Sequence, residues 1–186
     1  PTIVEIGGGF GGVAHQLLRR NADVRYIGID LPENCLVQYY YLSTSLRGSH
    51  QVALVSDPAE AIDSKLLERY PIVIAPNYCL PSIALERVDV VANFRSFSEM
   101  SMETLREYFR QIERIAPQFL YHENLSRGRK DGFFGIPVPE YPPLVNYSLL
   151  YSIESRWTKY QSDSTYPCNE YLLVRNLDER NAFGHG

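Results

Sequence analysis

A group of glycines near the start of the chain, followed by an aspartate, could hold a nucleotide-like ligand. Gly7, Gly9 and Gly11 follow a β-branched run at 2–6, and Asp30 ends the next apolar run. Glycines let the backbone turn tightly and approach a ligand, and the helix that begins after them presents free N–H groups. A carboxylate at the end of the second strand suits the two ribose hydroxyls of an adenosine. These residues predict a site for an adenosine-type cofactor.

Two classes of cofactor use this arrangement, and Glu5 is the residue that separates them. The glycines satisfy the dinucleotide pattern G-x-G-x-x-G through Gly12, so an NAD(P)-dependent oxidoreductase with a Rossmann fold is one alternative. Together with Glu5 they equally satisfy E-x-G-x-G-x-G, which resembles motif I of the class I S-adenosylmethionine-dependent methyltransferases. A carboxylate here would repel a pyrophosphate, and the resemblance implies that it lies near the cationic methionine end of the methyl donor. Glu5 and the glycines are therefore predicted to bind S-adenosylmethionine.

The pattern of apolar residues predicts the elements that would position this site. Candidate strands occupy residues 2–6, 24–29, 51–55, 71–75, 88–93 and 118–124, and helices are predicted from residue 13 and at 32–46, 59–70 and 102–116. A closing antiparallel pair is predicted at 153–160 and 170–175, around Trp157. Such an order indicates one domain over 1–186 with a doubly wound α/β fold, a mostly parallel seven-stranded sheet and a C-terminal antiparallel hairpin. The hairpin is similar to that of the Rossmann-like methyltransferase fold, and it is the second feature that favours a methyl donor.

Two candidate strands compete for the third place in this sheet, and the choice decides which side chain would contact the adenine. The later one is preferred, because Asn77 then follows it where such domains place an adenine-contacting group. Asp57, after the earlier candidate strand, is the rival. Ligands of open parallel sheets bind at the carboxyl ends of the strands. We therefore also assign Leu31 and Asn93 to the cofactor site.

A narrower resemblance is carried by three segments of the chain. Residues 4–12, 28–32 and 93–100 are similar to the sugar O-methyltransferases of bacterial surface-polysaccharide and natural-product pathways. The resemblance extends from the first strand to Asn124. It implies S-adenosylmethionine as the cofactor and O-methylation of a sugar hydroxyl on a small-molecule or glycan acceptor.

A sugar hydroxyl is a poor nucleophile, so a positioned general base would help the reaction. Glu99, in the loop after the strand at 88–93, is the preferred candidate, and His122 in the next strand is the second. Each also has an ordinary structural alternative. Glu99 would complement the N-terminus of the following helix, and His122 would be a buried core histidine.

Contacts to the acceptor are assigned to Arg95, Asn124 and Arg127. The last of these lies in a proline-containing stretch, 125–147, for which no regular structure is predicted. Because a structureless stretch of this length in a compact domain is usually functional, we expect it to cover the acceptor. An exposed loop is an equal alternative.

The composition of the chain limits its possible partners, metal sites and cellular compartment. The 186 residues carry 18 basic and 22 acidic side chains and a net charge of −4, which gives no support for a nucleic-acid partner. No residues have the spacing of a metal site, although a divalent metal is not excluded, and the widely spaced Cys35, Cys79 and Cys168 fit a reducing cytoplasm. No signal peptide or membrane span is visible, and because the chain opens directly on a strand we expect an upstream portion to precede it. A non-catalytic cofactor-binding module is the third alternative for its function.

Overall fold

A computed structural model describes residues 1–127, 135–156 and 167–176 of the chain. Its eight strands are β1 (Thr2–Ile6), β2 (Arg25–Asp30), β3 (Val52–Leu54), β4 (Ile72–Pro76), β5 (Val90–Phe94), β6 (Phe119–Leu125), β7 (Tyr147–Glu154) and β8 (Cys168–Arg175). The α-helices with both ends within these ranges are α1 (Gly12–Arg20), α2 (Pro32–Ser45), α3 (Ser64–Arg69) and α4 (Met102–Ile115). Three short 3-10 turns are found at Asn77–Ser82, Ser96–Glu99 and Val138–Glu140.

All eight strands belong to one sheet, in the order β3-β4-β2-β1-β5-β6-β8-β7. The pairs among the first six strands are parallel, whereas β8 is antiparallel to both β6 and β7. The strand order reverses between β1 and β5, since β2 lies on one side of β1 and β5 on the other. In an open α/β sheet this reversal leaves a crevice at the carboxyl ends of the strands, which is where ligands bind.

Local sequence signals explain where the helices that flank this crevice begin and end. Gly11 precedes α1 with a φ of 91°, in the left-handed region that favours glycine, and Pro32 occupies the first position of α2. Helix α4 begins after Ser101, whose side chain accepts a hydrogen bond from the N–H of Thr104. It ends at Ala116, which also has a positive φ, of 51°.

Apolar side chains cover the sheet on both faces. Val4 and Ile6 belong to the larger buried cluster together with residues of α3 and α4, and residues of α1 and α2 form a second buried cluster with β2 and β4. Because successive side chains of a strand point to opposite faces, Glu5 lies on the face opposite Val4 and Ile6. The doubly wound α/β fold predicted from the sequence is therefore confirmed.

The sheet has eight strands rather than the predicted seven, because the candidate strands at 51–55 and 71–75 both enter it. Strand β4 pairs with β2 and takes the third place that was preferred for it. The three-residue β3 pairs with β4 and extends the sheet at its edge, which raises the number from seven to eight. A run this short carries too little pattern to reveal whether it pairs.

Two elements lie elsewhere than the sequence predicted. Helix α3 begins at Ser64 rather than at residue 59, because the Asp63 side chain accepts a hydrogen bond from the N–H of Leu66 and caps the helix there. The first arm of the closing hairpin is β7 and starts at Tyr147, not at Ile153. A register irregularity between Leu149 and Tyr151 breaks the alternation that would have marked it. Trp157 lies outside the described residues.

The stretch at 125–147 is partly ordered by contact with the core. Strand β6 continues to Leu125, and Ile136, Tyr141 and Leu144 pack against the larger buried cluster. Its residues 128–134 lie outside the described part of the chain. Among the described residues, no helix combines the length and the apolar character needed to cross a membrane.

Candidate functional site

A cavity of about 470 Å³ opens at the carboxyl ends of the parallel strands, where the strand order reverses. Residues predicted for the site that line it are Gly7, Gly9, Asp30, Leu31, Asn77, Arg95 and Glu99. The structure adds Asn34, Phe94, Ser96, Met100, Thr104 and Tyr108. The volume is within the range of about 300–1,000 Å³ that is typical of small-molecule sites.

The glycine loop forms one wall of the cavity and needs glycine for two different reasons. Gly7 has a φ of 76°, and a side chain there would collide with Ser96 of the neighbouring loop. Gly9 has a φ of 57°, yet beyond Gly9 and its two chain neighbours no atom lies within 4 Å of the position that its Cβ would take. The space over Gly9 therefore belongs to the cavity. Gly11 does not line the cavity but caps α1.

Asp30 ties the glycine loop to the start of α2. Its Oδ2 accepts a hydrogen bond from the Gly9 N–H at 2.7 Å, and its Oδ1 accepts from the Leu31 N–H at 2.7 Å and from Asn34 Nδ2 at 2.9 Å. A carboxylate oxygen can accept two hydrogen bonds, so Oδ2 retains one acceptor position. Asp30 can therefore take a hydroxyl donor without losing a contact within the protein.

Asn77 lies beside Asp30 because β4 and β2 are neighbours, with Pro76 paired to Asp30. The Asn77 side chain is hydrogen-bonded to Tyr108 of α4, and burial raises the pKa of Tyr108 to about 12, so that its hydroxyl stays protonated at neutral pH. The rival Asp57 follows the edge strand β3 and caps its own loop, since its Oδ1 accepts from the Ala59 N–H at 2.8 Å. It does not line the cavity.

The turn Ser96–Glu99 also lines the cavity: Ser96 lies against Gly7, and Glu99 is exposed at the end of the turn. Glu99 lies before Ser101, the capping residue of α4, and the acid in the first turn of that helix is Glu103. Capping and charge complementation of α4 are thus supplied by other residues. This weakens the alternative that Glu99 serves only to complement the N-terminus of α4.

Glu5 has a different position from the predicted one. Its carboxylate is only 2% exposed and lies under the glycine loop, where its Oε2 accepts a hydrogen bond from the Tyr26 hydroxyl at 2.5 Å. Gln38 Nε2 donates to the same hydroxyl at 3.2 Å. Because strand alternation turns Glu5 toward α1 and α2, it does not line the cavity, and a direct contact with a ligand is not supported. Burial raises the pKa of this carboxyl above 4.5.

We expect this buried carboxyl to make the free energy of unfolding depend on pH. The unfolded chain releases the Glu5 proton as the pH rises through 4.5, whereas the folded protein retains it to a higher pH. Glu5 therefore contributes stability that is complete below pH 4.5 and is lost as the pH rises, by about 1.4 kcal/mol per pH unit until the raised pKa is reached. Glu5→Gln, which can still accept the Tyr26 hydrogen bond, should lack this dependence.

The measurement is denaturant unfolding of both proteins between about pH 4 and pH 8, the range that brackets ordinary and raised carboxyl pKa values. Other titrating groups contribute equally to the two proteins, so the difference between their unfolding free energies isolates Glu5. Parallel stability profiles across the range would show that the carboxyl is ionised in the folded protein.

His122 is a core residue, which was the structural alternative for it. Its ring stacks on Tyr171 with 4.8 Å between centroids and an angle of 17° between the planes. Burial lowers the pKa of His122 to about 3, so the ring is neutral at physiological pH. It does not line the cavity, and the structure therefore does not support it as the base.

Asn93 and Asn124 are also buried away from the cavity, contrary to the contacts assigned to them. Asn124 Nδ2 donates to Asn93 Oδ1 at 2.8 Å, and Asn124 Oδ1 accepts from the Ser98 N–H at 3.1 Å. Asn93 Nδ2 in turn donates to the Ile6 carbonyl at 2.8 Å. The pair therefore holds the ends of β1, β5 and β6 and the turn that carries Glu99 in fixed positions. Its role is to support the site rather than to line it.

The third residue assigned to the acceptor, Arg127, is exposed at the end of a described segment and does not line the cavity. Among the residues with a described structure, no group of three or more His, Cys, Asp or Glu could hold a metal ion.

Comparison with solved structures places this architecture among known folds. The chain is similar to magnesium protoporphyrin IX methyltransferase from Synechocystis PCC 6803 with bound SAM, at 12% identity and a TM-score of 0.59 over 94% of this chain and 69% of that one. It is similar to the mitomycin 7-O-methyltransferase MmcR, at 14% identity and a TM-score of 0.61 over 94% and 48%. It is also similar to MtNAS in complex with MTA and tNA, at 11% identity and a TM-score of 0.52 over 95% and 53%.

The chain has the class I methyltransferase fold. At 11–14% identity these similarities establish the fold alone. The chain spans about half the length of two of these proteins, 48% and 53%. Neither the protein-family models nor the curated proteins include a match to this sequence.

Sequence reasoning missed several residues that line the cavity of this class I methyltransferase fold. Asn34 is one helical turn beyond Asp30, and that spacing could have revealed it. Thr104 and Tyr108 are one turn apart on α4, next to the stripe of apolar residues by which the helix was predicted. No signal in the sequence distinguishes the face of α4 that packs on the sheet from the few positions that reach the cavity.

Proposed function

We propose that this protein binds S-adenosylmethionine and transfers its methyl group to a hydroxyl of a sugar. The observation that carries the proposal is that two chemically different groups of residues line one cavity. We assign the glycine loop and Asp30 to a first wall, for the cofactor, and Arg95 and Glu99, which follow β5, to a second wall, for the acceptor. A cofactor with a ribose fits the first wall, and an acceptor with an exchangeable hydroxyl proton fits the second.

The residues of the first wall fit the cofactor on their own chemistry. The free acceptor position of Asp30 Oδ2 suits a ribose hydroxyl, and the open space over Gly9 lets a ligand approach the backbone. Asn77 offers an amide for the adenine edge. When bound, S-adenosylmethionine supplies an electrophilic methyl group on a positively charged sulfur. The solved neighbour with bound SAM supports this assignment.

On the second wall, Glu99 would accept the proton of the attacking hydroxyl. It is the cavity-lining carboxylate outside the cofactor wall among the described residues, and no described residue hydrogen-bonds to it. A positioned base of this kind contributes about 10²–10⁴-fold to a rate. Alignment of the reacting groups by the rigid turn contributes the rest, since the turn is tied to β5 and β6 through the asparagine pair.

The stretch at 125–147 fits the role of a cover for the acceptor. The N–H of Ile136 donates to the Ser98 carbonyl at 2.9 Å, and the Tyr141 hydroxyl lies 2.8 Å from Ser98 Oγ. The stretch is therefore fastened to the turn that carries Glu99. The sugar itself is supported by the resemblance of residues 4–12, 28–32 and 93–100 to sugar O-methyltransferases.

The rival function is that of an NAD(P)-dependent oxidoreductase. The position of Glu5 is compatible with this function, because a buried carboxyl that does not reach the cavity would not repel a pyrophosphate directly. The antiparallel β7–β8 hairpin favours the methyltransferase. Thermal-shift titration with S-adenosylhomocysteine and with NAD separates the two, and we expect stabilisation by the first only.

Calorimetric titration with S-adenosylmethionine, followed by a methyl-transfer assay on a panel of nucleotide sugars, tests the proposal itself. Saturable binding together with transfer to any sugar supports it. Binding without transfer to any acceptor would favour the non-catalytic module, and stabilisation by NAD alone would favour the oxidoreductase.

Asp30→Ala should weaken S-adenosylmethionine binding by about 1.5–3 kcal/mol, the usual range for hydrogen bonds to a charged group. The variant removes the acceptor for the ribose and also releases the Gly9 N–H that Asp30 holds. Calorimetry gives the affinity, and Asp57→Ala, which alters a loop carboxylate outside the cavity, is the matched control. A loss well under about 0.5 kcal/mol, the low end for a hydrogen bond, would mean that another residue holds the ribose.

A further inference from the structure

Arg95 is the only basic side chain among the described residues that line the cavity. It lies on the acceptor wall, and its side chain is 40% exposed. The other charged side chains of the lining are the carboxylates of Asp30 and Glu99. A cationic side chain in this position either binds an anionic ligand or is neutralised by an acidic partner within the protein.

Part of the guanidinium is used within the protein. Glu123 of β6 is almost buried, and its Oε1 accepts from Arg95 Nε at 3.1 Å and lies 3.0 Å from Arg95 Nη2. Both contacts go to a single oxygen and occupy one edge of the planar group. Within the described part of the chain, Nη1 has no hydrogen-bond partner. The outer edge of the guanidinium therefore keeps donors for a ligand.

The backbone of Arg95 is held in an unusual conformation. Its φ is 68°, in the left-handed region that residues other than glycine seldom adopt. The N–H of Arg95 donates to the Glu123 carbonyl at 2.7 Å, so backbone and side chain are both fixed to the same residue of β6. Such strained residues are concentrated at functional sites, where the surrounding structure maintains them. The guanidinium is thus preorganised at the cavity.

Arg95 immediately precedes the 3-10 turn Ser96–Glu99, and Glu99 is the last residue of that turn. With a rise of about 2 Å per residue, their Cα atoms are separated by about 8 Å along the turn. This is the scale of a single sugar unit with a charged substituent. A sugar whose hydroxyl faces Glu99 would place such a substituent within reach of Arg95.

We propose that the acceptor carries an anionic group, a phosphate or a carboxylate, and that the outer edge of Arg95 binds it. The planar fork of arginine matches both groups through paired hydrogen bonds. The inference rests on the proposed function, because that proposal assigns Arg95 and Glu99 to the acceptor. The competing assignments for Arg95 are the carboxylate of the methionine moiety and a purely internal ion pair with Glu123.

The test is a titration of the protein saturated with S-adenosylhomocysteine, followed by NMR through the Arg95 side-chain signals. The probes are glucose 1-phosphate, glucuronate and glucose, which separate a phosphate from a carboxylate and both from a neutral sugar. We expect at least one anionic probe to bind more tightly than glucose and to lose affinity with added salt. Arg95→Gln should weaken that probe by at least about tenfold, as for a lost charged hydrogen bond.

Arg87→Gln is the matched control, because Arg87 forms an exposed ion pair with Asp89 at 2.7 Å and does not line the cavity. The proposal would be overturned if all three probes bound equally, or if wild type and Arg95→Gln bound them equally. Arg95 would then have only its internal ion pair. A loss of S-adenosylhomocysteine affinity in Arg95→Gln with unchanged anion binding would assign Arg95 to the cofactor. If wild type does not bind S-adenosylhomocysteine, the proposed function fails, and the same anion titration without it still tests Arg95.

Discussion

Glu99→Gln should lower the turnover of methyl transfer by about 10²–10⁴-fold, the usual contribution of a general base. The substitution keeps the shape of the side chain and removes its ability to take up a proton. Affinity for S-adenosylmethionine should remain unchanged, because Glu99 belongs to the lining residues assigned to the acceptor and not to those assigned to the cofactor. Single-turnover rates with a sugar acceptor, together with calorimetric cofactor affinities, measure the two effects separately.

Glu103→Gln is the control for the effect of charge on α4. Glu103 is the acid in the first turn of that helix, and it does not line this cavity. Its loss should reduce stability by about 0.3–1 kcal/mol with turnover intact. Near-normal turnover in Glu99→Gln would exclude the carboxylate as the base and leave the reaction to alignment alone. His122 would not replace it, since its ring is buried outside the cavity.

Gly9→Val should abolish measurable binding of S-adenosylmethionine. Apart from residue 9 itself and its two chain neighbours, no atom lies within 4 Å of the added Cβ, so the new side chain would occupy cavity space rather than clash with the fold. The bulky group would also separate the ligand from the backbone of the loop. Calorimetry on the folded variant measures the loss, with thermal unfolding as the check on folding.

Backbone strain is the other consequence of this substitution, because Gly9 has a φ of 57°. Gly48→Val controls for it, since Gly48 has a φ of 87°, also has no atom within 4 Å of its added Cβ, and is remote from the cavity lining. Both variants should lose stability of the same order, yet only Gly9→Val should lose the cofactor. Unchanged affinity in a folded Gly9→Val protein would refute the assignment of the glycine loop.

The strands and helices were predictable where the sequence has a strong local pattern. Strand β4 is a continuous apolar run, β1 and β2 are rich in β-branched residues, and α4 carries apolar residues at steps of three and four with a serine cap. Prediction failed where the signal was short or interrupted. The three residues of β3 and the irregular alternation of β7 do not specify a pairing partner, and contacts with β4 and β8 decide both.

The candidate site was predictable to the level of segments. Ligands of parallel sheets bind where strands end, so the glycines after β1 and the polar residues at or after the ends of β2, β4 and β5 pointed to the correct edge. Asp30, Asn77 and Glu99 do line the cavity. The sequence at the end of a strand does not reveal whether a polar side chain there faces the cavity or a neighbouring strand.

Local sequence was enough to predict the fold class and the glycine loop, because β-branched runs, glycines and caps act through local backbone preferences. The roles of the polar residues inside the sheet depend instead on tertiary contacts. Glu5 is paired with Tyr26 beneath the loop, and Asn93 with Asn124 between two strands. A buried polar group must find a partner, and that partner is distant along the chain and is supplied by sheet packing. Residue type alone therefore could not separate the groups that hold the site together from those that line it.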